Sequence, residues 1–248
     1  MKELKEYLNE LKLREFAQHL EPLLESYPDS GDDCIMILKN LCQKELSDKK
    51  QRSIAYRIEQ AKFSQIQTVD TFNFQYNAST KKIKNIYLKL FSKELITDGL
   101  CALFVGSAGL GKTHLSRALG YYFCQESIRV RFTTLSAMTI ELINADATQN
   151  LKKIIMSYTQ PTLLILDEIG YVSLRELESN LIFQVISQRY DAKRSTVITT
   201  NRPFGEWNQI FHNDAMARAL IDRLIERSEV FHLEGKSYRE THRQRLKK

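Results

Sequence analysis

The sequence predicts an α/β protein, a parallel sheet sandwiched by helices and preceded by a small all-helical module. Three observations carry this reading. Over residues 98–233, apolar, β-branched segments alternate with amphipathic helical ones, the pattern of strands buried beneath crossover helices. Residues 1–64 hold one glycine, Gly31, and their apolar residues recur at helical spacing. Residues 101–114 run in succession as an apolar strand, a glycine-rich loop and the start of a helix.

In chain order, Leu4, Leu8, Leu11, Phe16 and Leu20 fall on one helical face. Pro22 and the run Pro28-Asp-Ser-Gly31 punctuate the pattern, which Ile35, Leu38 and Leu41 resume. Ser47-Asp48 is placed to cap a basic helix through residue 63, with Ile54, Ile58 and Ala61 facing inward. Lys49, Lys50, Arg52, Arg57 and Lys62 then line its outer side, either as a solvated face or as a DNA contact. Short helices ending in a basic one resemble helix-turn-helix modules.

Residues 65–97 read as a polar linker and a lysine-rich helix over 81–95. Phe72, Phe74 and Tyr76 either dock the linker on the core or lie against an adenine edge. The domain over 98–235 continues with strands at 101–105, 129–133, 162–166, 195–199 and 229–233. Between them lie helices after the loop and at 134–144, 151–158, 180–190 and 214–227. Residues 236–248 form a basic tail.

The first strand leads into Gly106-Ser107-Ala108-Gly109-Leu110-Gly111-Lys112-Thr113, which matches the phosphate-binding pattern G-x-x-x-x-G-K-[ST], with His114 next. The glycines let successive amides point into one concavity, and the helix N-terminus adds positive potential there. Lys112 places a cation beside the β- and γ-phosphates, and the Thr113 hydroxyl is a Mg²⁺ ligand. Ligands of such sheets bind at the carboxyl ends of strands, where Asp167-Glu168 and Asn201 fall. Asp167 is placed to hold Mg²⁺ through water, and Glu168 to orient or deprotonate an attacking water. Asn201 could touch the γ-phosphate or that water. An arginine is also wanted for the developing charge. Arg218, Arg223 and Arg227 lie at an edge from which a neighbouring subunit is the natural supplier.

Composition narrows the rest. No apolar run approaches the ~20 residues of a membrane helix, and the charged N-terminus does not read as a secretory signal. Cys34, Cys42, Cys101 and Cys124 form no CxxC pair, which fits a reduced cytosol. Net charge is +6, with seven Lys/Arg against three acids over 39–62 and six against one over 236–248, a pattern suited to a polyanion. A small-molecule kinase is disfavoured, because no acceptor-binding insert is evident and Asp167-Glu168 suits water activation.

Further blocks are Leu163-Leu-Ile-Leu-Asp167-Glu168-Ile-Gly-Tyr171, Ile186-Ser-Gln-Arg-Tyr190, Ile198-Thr-Thr-Asn-Arg-Pro-Phe-Gly-Glu-Trp207, Ile221-Asp-Arg-Leu224 and Gly235-Lys-Ser-Tyr-Arg239. With the phosphate loop, these resemble the IstB proteins, ATP-binding helpers of bacterial insertion sequences related to the helicase loader DnaC within the AAA+ ATPases. The resemblance spans essentially the whole chain. It implies a bacterial cytoplasmic ATPase using ATP and Mg²⁺. Such a protein oligomerises on double-stranded DNA with ATP sites shared between subunits, and helps an IstA-type transposase choose its target. It places Asn201 at the sensor position, Arg223 at the arginine-finger position and Arg239 near the nucleotide. Ile225-Glu226-Arg227 stands where many relatives carry histidines, and a full helical lid is not expected. A DnaC-type helicase loader in replication shares nearly every motif and is the alternative.

Overall fold

The computed structural model describes residues 2–26 and 31–245, which divide into two compact units meeting between Tyr56 and Arg57. The first unit contains helices α1 (Lys2–Glu10), α2 (Arg14–Ser26) and most of α3 (Gly31–Ala61). Leu8, Leu20, Ile37 and Leu41 form its core.

Four local expectations need correction here. Pro22 lies inside α2 rather than ending it, the burial of neighbouring Leu20 outweighing one missing backbone bond. Ser47-Asp48 caps nothing. With no glycine or proline between Gly31 and Ala61 the helix is unbroken, and Asp48 instead pairs with Arg52 one turn on, at 2.6 Å. The phase of α3 buries Ile37 and Leu41 and leaves Leu38 54% exposed. Leu11 is also outward, at 68%, just past the end of α1. Residues 28–30 of the expected turn lie outside the described residues.

In the second unit the lysine-rich helix is two helices, α4 (Ala78–Lys89) and α5 (Lys93–Thr97). Ser92 breaks the run by taking an extended conformation and accepting the Leu95 amide as an N-cap. Strands β1 (Cys101–Gly106), β2 (Val130–Thr134), β3 (Leu163–Ile169), β4 (Ser195–Thr200) and β5 (Ser228–Leu233) follow. Between them run α6 (Lys112–Gln125), α7 (Leu135–Ala147), α8 (Leu151–Thr159), α9 (Glu176–Asp191) and α10 (Asp214–Glu226). A last helix, α11 (Tyr238–Arg245), occupies the region read as a tail.

The five strands are all parallel, in the order β2-β3-β4-β1-β5. Both faces are apolar because successive side chains serve opposite cores. Ala102, Phe104, Leu163 and Ile165 join Tyr87, Leu115, Leu119 and Phe123 on one side. Leu103, Leu164, Leu166 and Ile198 join Leu142, Tyr158, Ile182 and Leu220 on the other. Fully burying each of the leucine, isoleucine and phenylalanine side chains contributes about 1.5–3 kcal/mol, which makes the sheet a rigid support for the loops at its carboxyl edge. Arg189 of α9 is fully buried and donates to Tyr158 O and Pro161 O, both at 2.8 Å, and to Thr196 Oγ1 at 3.0 Å. It ties the entrances of β3 and β4 together.

For the site, the decisive feature is that β4 lies between β1 and β3. Its carboxyl end, Thr199 to Asn201, is thereby set between the phosphate loop and Asp167.

Candidate nucleotide site

A cleft of about 380 Å³ opens at the carboxyl edge of the sheet. It is lined by Ala108 to His114 of the phosphate loop, by Glu168 and Asn201, by Arg239, and by Thr71, Phe72 and Tyr76 of the linker. Gly106 ends β1 at φ +152°, where an added Cβ would meet Leu233 O at 2.1 Å, so only glycine lets β5 approach there. Lys112 is buried and donates from Nζ to Gly106 O (2.6 Å) and Ser107 O (2.7 Å). Burial lowers its pKa and Arg239 adds to the effect, while Asp167 and Glu168 oppose it.

Thr113 Oγ1 donates to Asp167 Oδ1 at 3.0 Å, and Thr199 Oγ1 donates to the same oxygen. Asp167 is 1% exposed, and its Oδ2 is buried without a hydrogen-bond partner. A hydroxyl and a carboxylate with a spare buried oxygen, beside a phosphate loop, fit a hard divalent cation that keeps waters and phosphate oxygens as its other ligands. Among the described residues no group of three or more His, Cys, Asp or Glu side chains could hold a metal without such help.

Glu168 is aimed by an irregularity. The pairing of β3 with β4 shifts register between Leu166 and Ile169, and Glu168 sits in the shift at φ +64°. A regular strand would send its side chain into the apolar layer opposite Asp167; the bulge turns it, exposed, toward the cleft. The Glu168 amide donates to Thr199 Oγ1 at 3.0 Å, which fixes the turn. Asn201 lines the cleft, and its Oδ1 is buried without a hydrogen-bond partner against Gly170.

The linker docks on the core, and part of it also faces the cleft. Phe74 is buried against Tyr87, while Phe72 and Tyr76 line the cleft. His114 Nε2 is bonded to Thr68 O (2.9 Å) and Thr71 Oγ1 (3.2 Å) and so ties the linker to α6. The C-terminal segment adjoins the linker at the cleft wall. Tyr238 N donates to Gly109 O (2.9 Å), and Tyr76 Oη lies within hydrogen-bond distance of Ser237 O (3.1 Å) and Thr241 Oγ1 (2.9 Å). These bonds hold Arg239 in the cleft wall.

Arg223 does not line the cleft. It lies near the end of α10, just before Ser228, which pairs with Cys101 at the start of β1. That is the end of the sheet opposite the phosphate loop, and β1, which joins the two ends, spans about 16 Å. Its guanidinium lies 5.3 Å from the Phe183 ring centre, and Nη1 donates to Ala219 O at 3.0 Å. Of the basic residues read as a DNA surface, Lys50 is exposed, Lys49 reaches Glu45 at 3.8 Å, and Arg52 pairs with Asp48 and Glu45. In the second unit, Lys62 lies 3.9 Å from Glu141, and Arg57 donates to Cys124 O (2.9 Å) and Ser127 Oγ (3.1 Å).

Sequence reasoning missed the double role of Thr199 and the presence of Arg117, Tyr171 and Tyr238 in the cleft wall. Thr199 had a signal: a hydroxyl near the end of a fully buried strand must find a partner, and the neighbouring strand ends in acids. The others depend on loop paths that no spacing encodes.

The family model described as IstB-like ATP binding protein matches residues 6–246. A Geobacillus stearothermophilus protein, named as an ATP-binding protein of insertion sequence IS5376, is 33% identical, covering 94% of this chain and 92% of its own. A Pseudomonas aeruginosa protein, named for insertion sequence IS21 in the same way, is 29% identical over 96% of this chain and 89% of its own. Among solved structures, a DnaC helicase loader superposes with a TM-score of 0.60 at 22% identity, covering 67% of this chain and 96% of that one. DnaA from Aquifex aeolicus, bound to AMPPCP, gives 0.59 at 17% identity, covering 73% and 54%. No helix among the described residues is long and apolar enough to cross a membrane. The chain belongs to the family of IstB-like ATP-binding proteins and carries the P-loop ATPase fold of the AAA+ class.

Proposed function

We propose that this protein hydrolyses ATP with Mg²⁺ and uses the cycle to assemble on double-stranded DNA, where it assists an IstA-type transposase in target-site selection. The observation that carries the hydrolytic part is the bulge at Asp167-Glu168, which separates two adjacent acids into different tasks. Asp167 faces Thr113 and keeps one free oxygen; Glu168 faces the cleft. Thr113 and Asp167 would hold Mg²⁺, which neutralises phosphate charge when bound. Lys112 and the loop amides bind the triphosphate, Asn201 orients the attacking water or the γ-phosphate, and Glu168 accepts the water's proton.

The position of Arg223, at the far end of the sheet from its own cleft, supports an ATP site completed by a second copy of the chain. Kinship with insertion-sequence proteins supports transposition over helicase loading, since the likeness to DnaC at 22% identity speaks for the fold alone. Lys49, Lys50, Arg52 and Lys62 supply the proposed contacts to DNA phosphates. Arg57 shares that basic face in sequence, but its bonds to Cys124 and Ser127 give it an anchoring task as well. The setting is the bacterial cytoplasm.

The test is duplex binding with and without ATP across a salt series. We expect ATP-dependent binding of low sequence preference, with log K falling by about 0.9 per phosphate contacted for each tenfold rise in salt. Binding that is absent or indifferent to salt would remove the DNA-assembly reading.

A further inference from the structure

The block Arg202-Pro-Phe-Gly-Glu-Trp207 lines no part of the cleft, yet it is fastened to the turn that carries Glu168. Trp207 is fully buried, with its ring 5.9 Å from Phe211 and 5.6 Å from Phe204. The short 3-10 segment Phe204–Gln209 is therefore a fixed platform beside β4. From it, hydrogen bonds reach the chain after Glu168: Ser173 Oγ donates to Gln209 O (2.9 Å), and Leu174 N donates to Ile210 O (2.7 Å). Closest to Glu168, Arg202 donates from Nε to Gly170 O (2.9 Å) and from Nη1 to Gln209 Oε1 (2.7 Å).

Arg202 is itself held, because its amide donates to Thr200 Oγ1, and that hydroxyl donates to Arg202 O, both at 3.1 Å. At Gly170, φ is +118° and a Cβ would lie 2.2 Å from Asn201 Oδ1, so Asn201 and Arg202 close over the turn directly. The planar guanidinium spans the two acceptors at once, which a lysine ammonium on a flexible stem does not reproduce.

We propose that Arg202 is a positioning residue for ATP hydrolysis: by bridging Gly170 O and Gln209 Oε1 it locks the turn that aims Glu168 into the cleft. The inference rests on the hydrolytic reading above. The partly exposed contact with Glu206 at 3.4 Å is not the source of the effect, since such pairs contribute little.

The experiment compares wild type, Arg202→Ala, Arg202→Lys, Glu206→Gln, Glu168→Gln and the Arg202→Ala/Glu168→Gln double variant. It reads single-turnover hydrolysis, fluorescent-ATP affinity, and hydrogen exchange of amides 168–171. We expect Arg202→Ala to slow the chemical step by about 10²-fold, the effect of a displacement near 1 Å, with affinity changed less than about threefold. Arg202→Lys should fall between, and Glu206→Gln should match wild type. The turn amides should exchange faster in Arg202→Ala, and the double variant should be no slower than Glu168→Gln alone, because Arg202 acts through Glu168. If wild type hydrolyses ATP while Arg202→Ala stays within about threefold of it, or if the two losses multiply, the positioning role is overturned and the hydrolytic reading stands. If wild type itself shows no hydrolysis, the hydrolytic reading fails and this role goes with it, whatever the exchange shows.

Discussion

Thr199 and Asp167 are joined side chain to side chain between adjacent strands, the Thr199 hydroxyl donating to Asp167 Oδ1. The same hydroxyl accepts the Glu168 amide at 3.0 Å. One buried threonine on β4 thus orients the carboxylate facing Thr113 and pins the backbone of the next acid. The pairing of β4 with β3 is what makes this possible, because both groups lie at the carboxyl end of β3.

Thr199→Val keeps the shape and removes the hydroxyl. It should lower unfolding free energy by about 1–3 kcal/mol, because the Glu168 amide loses its partner and the buried Asp167 carboxylate one of its two donors. Turnover should drop by about 10- to 10²-fold through the displaced acids. Thr199→Ser should restore most of both. Denaturant unfolding and steady-state ATPase assays check this together.

Glu168→Gln retains size and hydrogen bonding but cannot accept a proton. Loss of general-base catalysis should slow hydrolysis by about 10²- to 10⁴-fold while leaving ATP bound, so that ATP-loaded assemblies accumulate in sedimentation or light-scattering measurements. Unchanged turnover and assembly would reassign the base.

How much of this was legible beforehand varies with the physics of each part. The sheet was readable because apolar runs such as 101–105 and 162–166 have no other stable use, and the phosphate loop because its glycines follow a strand and open a helix. Glu168 was readable as a residue but not as a direction, since its aim depends on a register shift that leaves no mark in the composition of β3. The continuity of α3 was misread at Ser47-Asp48 because capping residues act only where a helix has another reason to start. The closure of the cleft by α11 was invisible, for a polar, basic segment looks solvated until Tyr76 and Gly109 are seen to bond it.

Arg239 depends on that closure. Tyr76→Phe removes the bonds to Ser237 O and Thr241 Oγ1, worth about 0.5–1.5 kcal/mol each, and should loosen α11 with a modest loss of nucleotide affinity. Arg239→Ala should cost more, about 1.5–3 kcal/mol of binding if the guanidinium bonds a phosphate. Titration with a fluorescent ATP analogue ranks the two. Equal affinities for wild type and Arg239→Ala would separate the helix from nucleotide binding.

Burial holds the Lys112 pKa below its ordinary 10.5, so the free protein releases this proton at a lower pH than an exposed lysine does. A bound triphosphate favours the ammonium and raises the value again. Binding therefore takes up protons where the free ammonium is partly lost, and affinity should fall as pH rises through the lowered pKa. Lys112→Arg, which stays charged throughout, should show a flat profile over the same alkaline range. Calorimetric titrations in buffers of different ionisation enthalpy read the proton uptake directly.

Arg223 supplies the sharpest test of shared sites, because it lies toward the end of the sheet opposite the phosphate loop of its own chain and lines no part of that cleft. Arg223→Ala should leave ATP affinity within a few-fold of wild type and reduce turnover by about 10³-fold or more, the range for loss of a charge-stabilising arginine in phosphoryl transfer. Lys112→Ala should fail differently, by losing triphosphate binding. Neither variant is active alone. When they are mixed, some interfaces pair an intact cleft from an Arg223→Ala chain with an intact arginine from a Lys112→Ala chain, and those should hydrolyse ATP. Recovery should rise with the mixing ratio and peak near equal amounts, since productive neighbours are then most frequent. A mixture as inactive as its components would place the arginine's role within its own chain or remove it from catalysis.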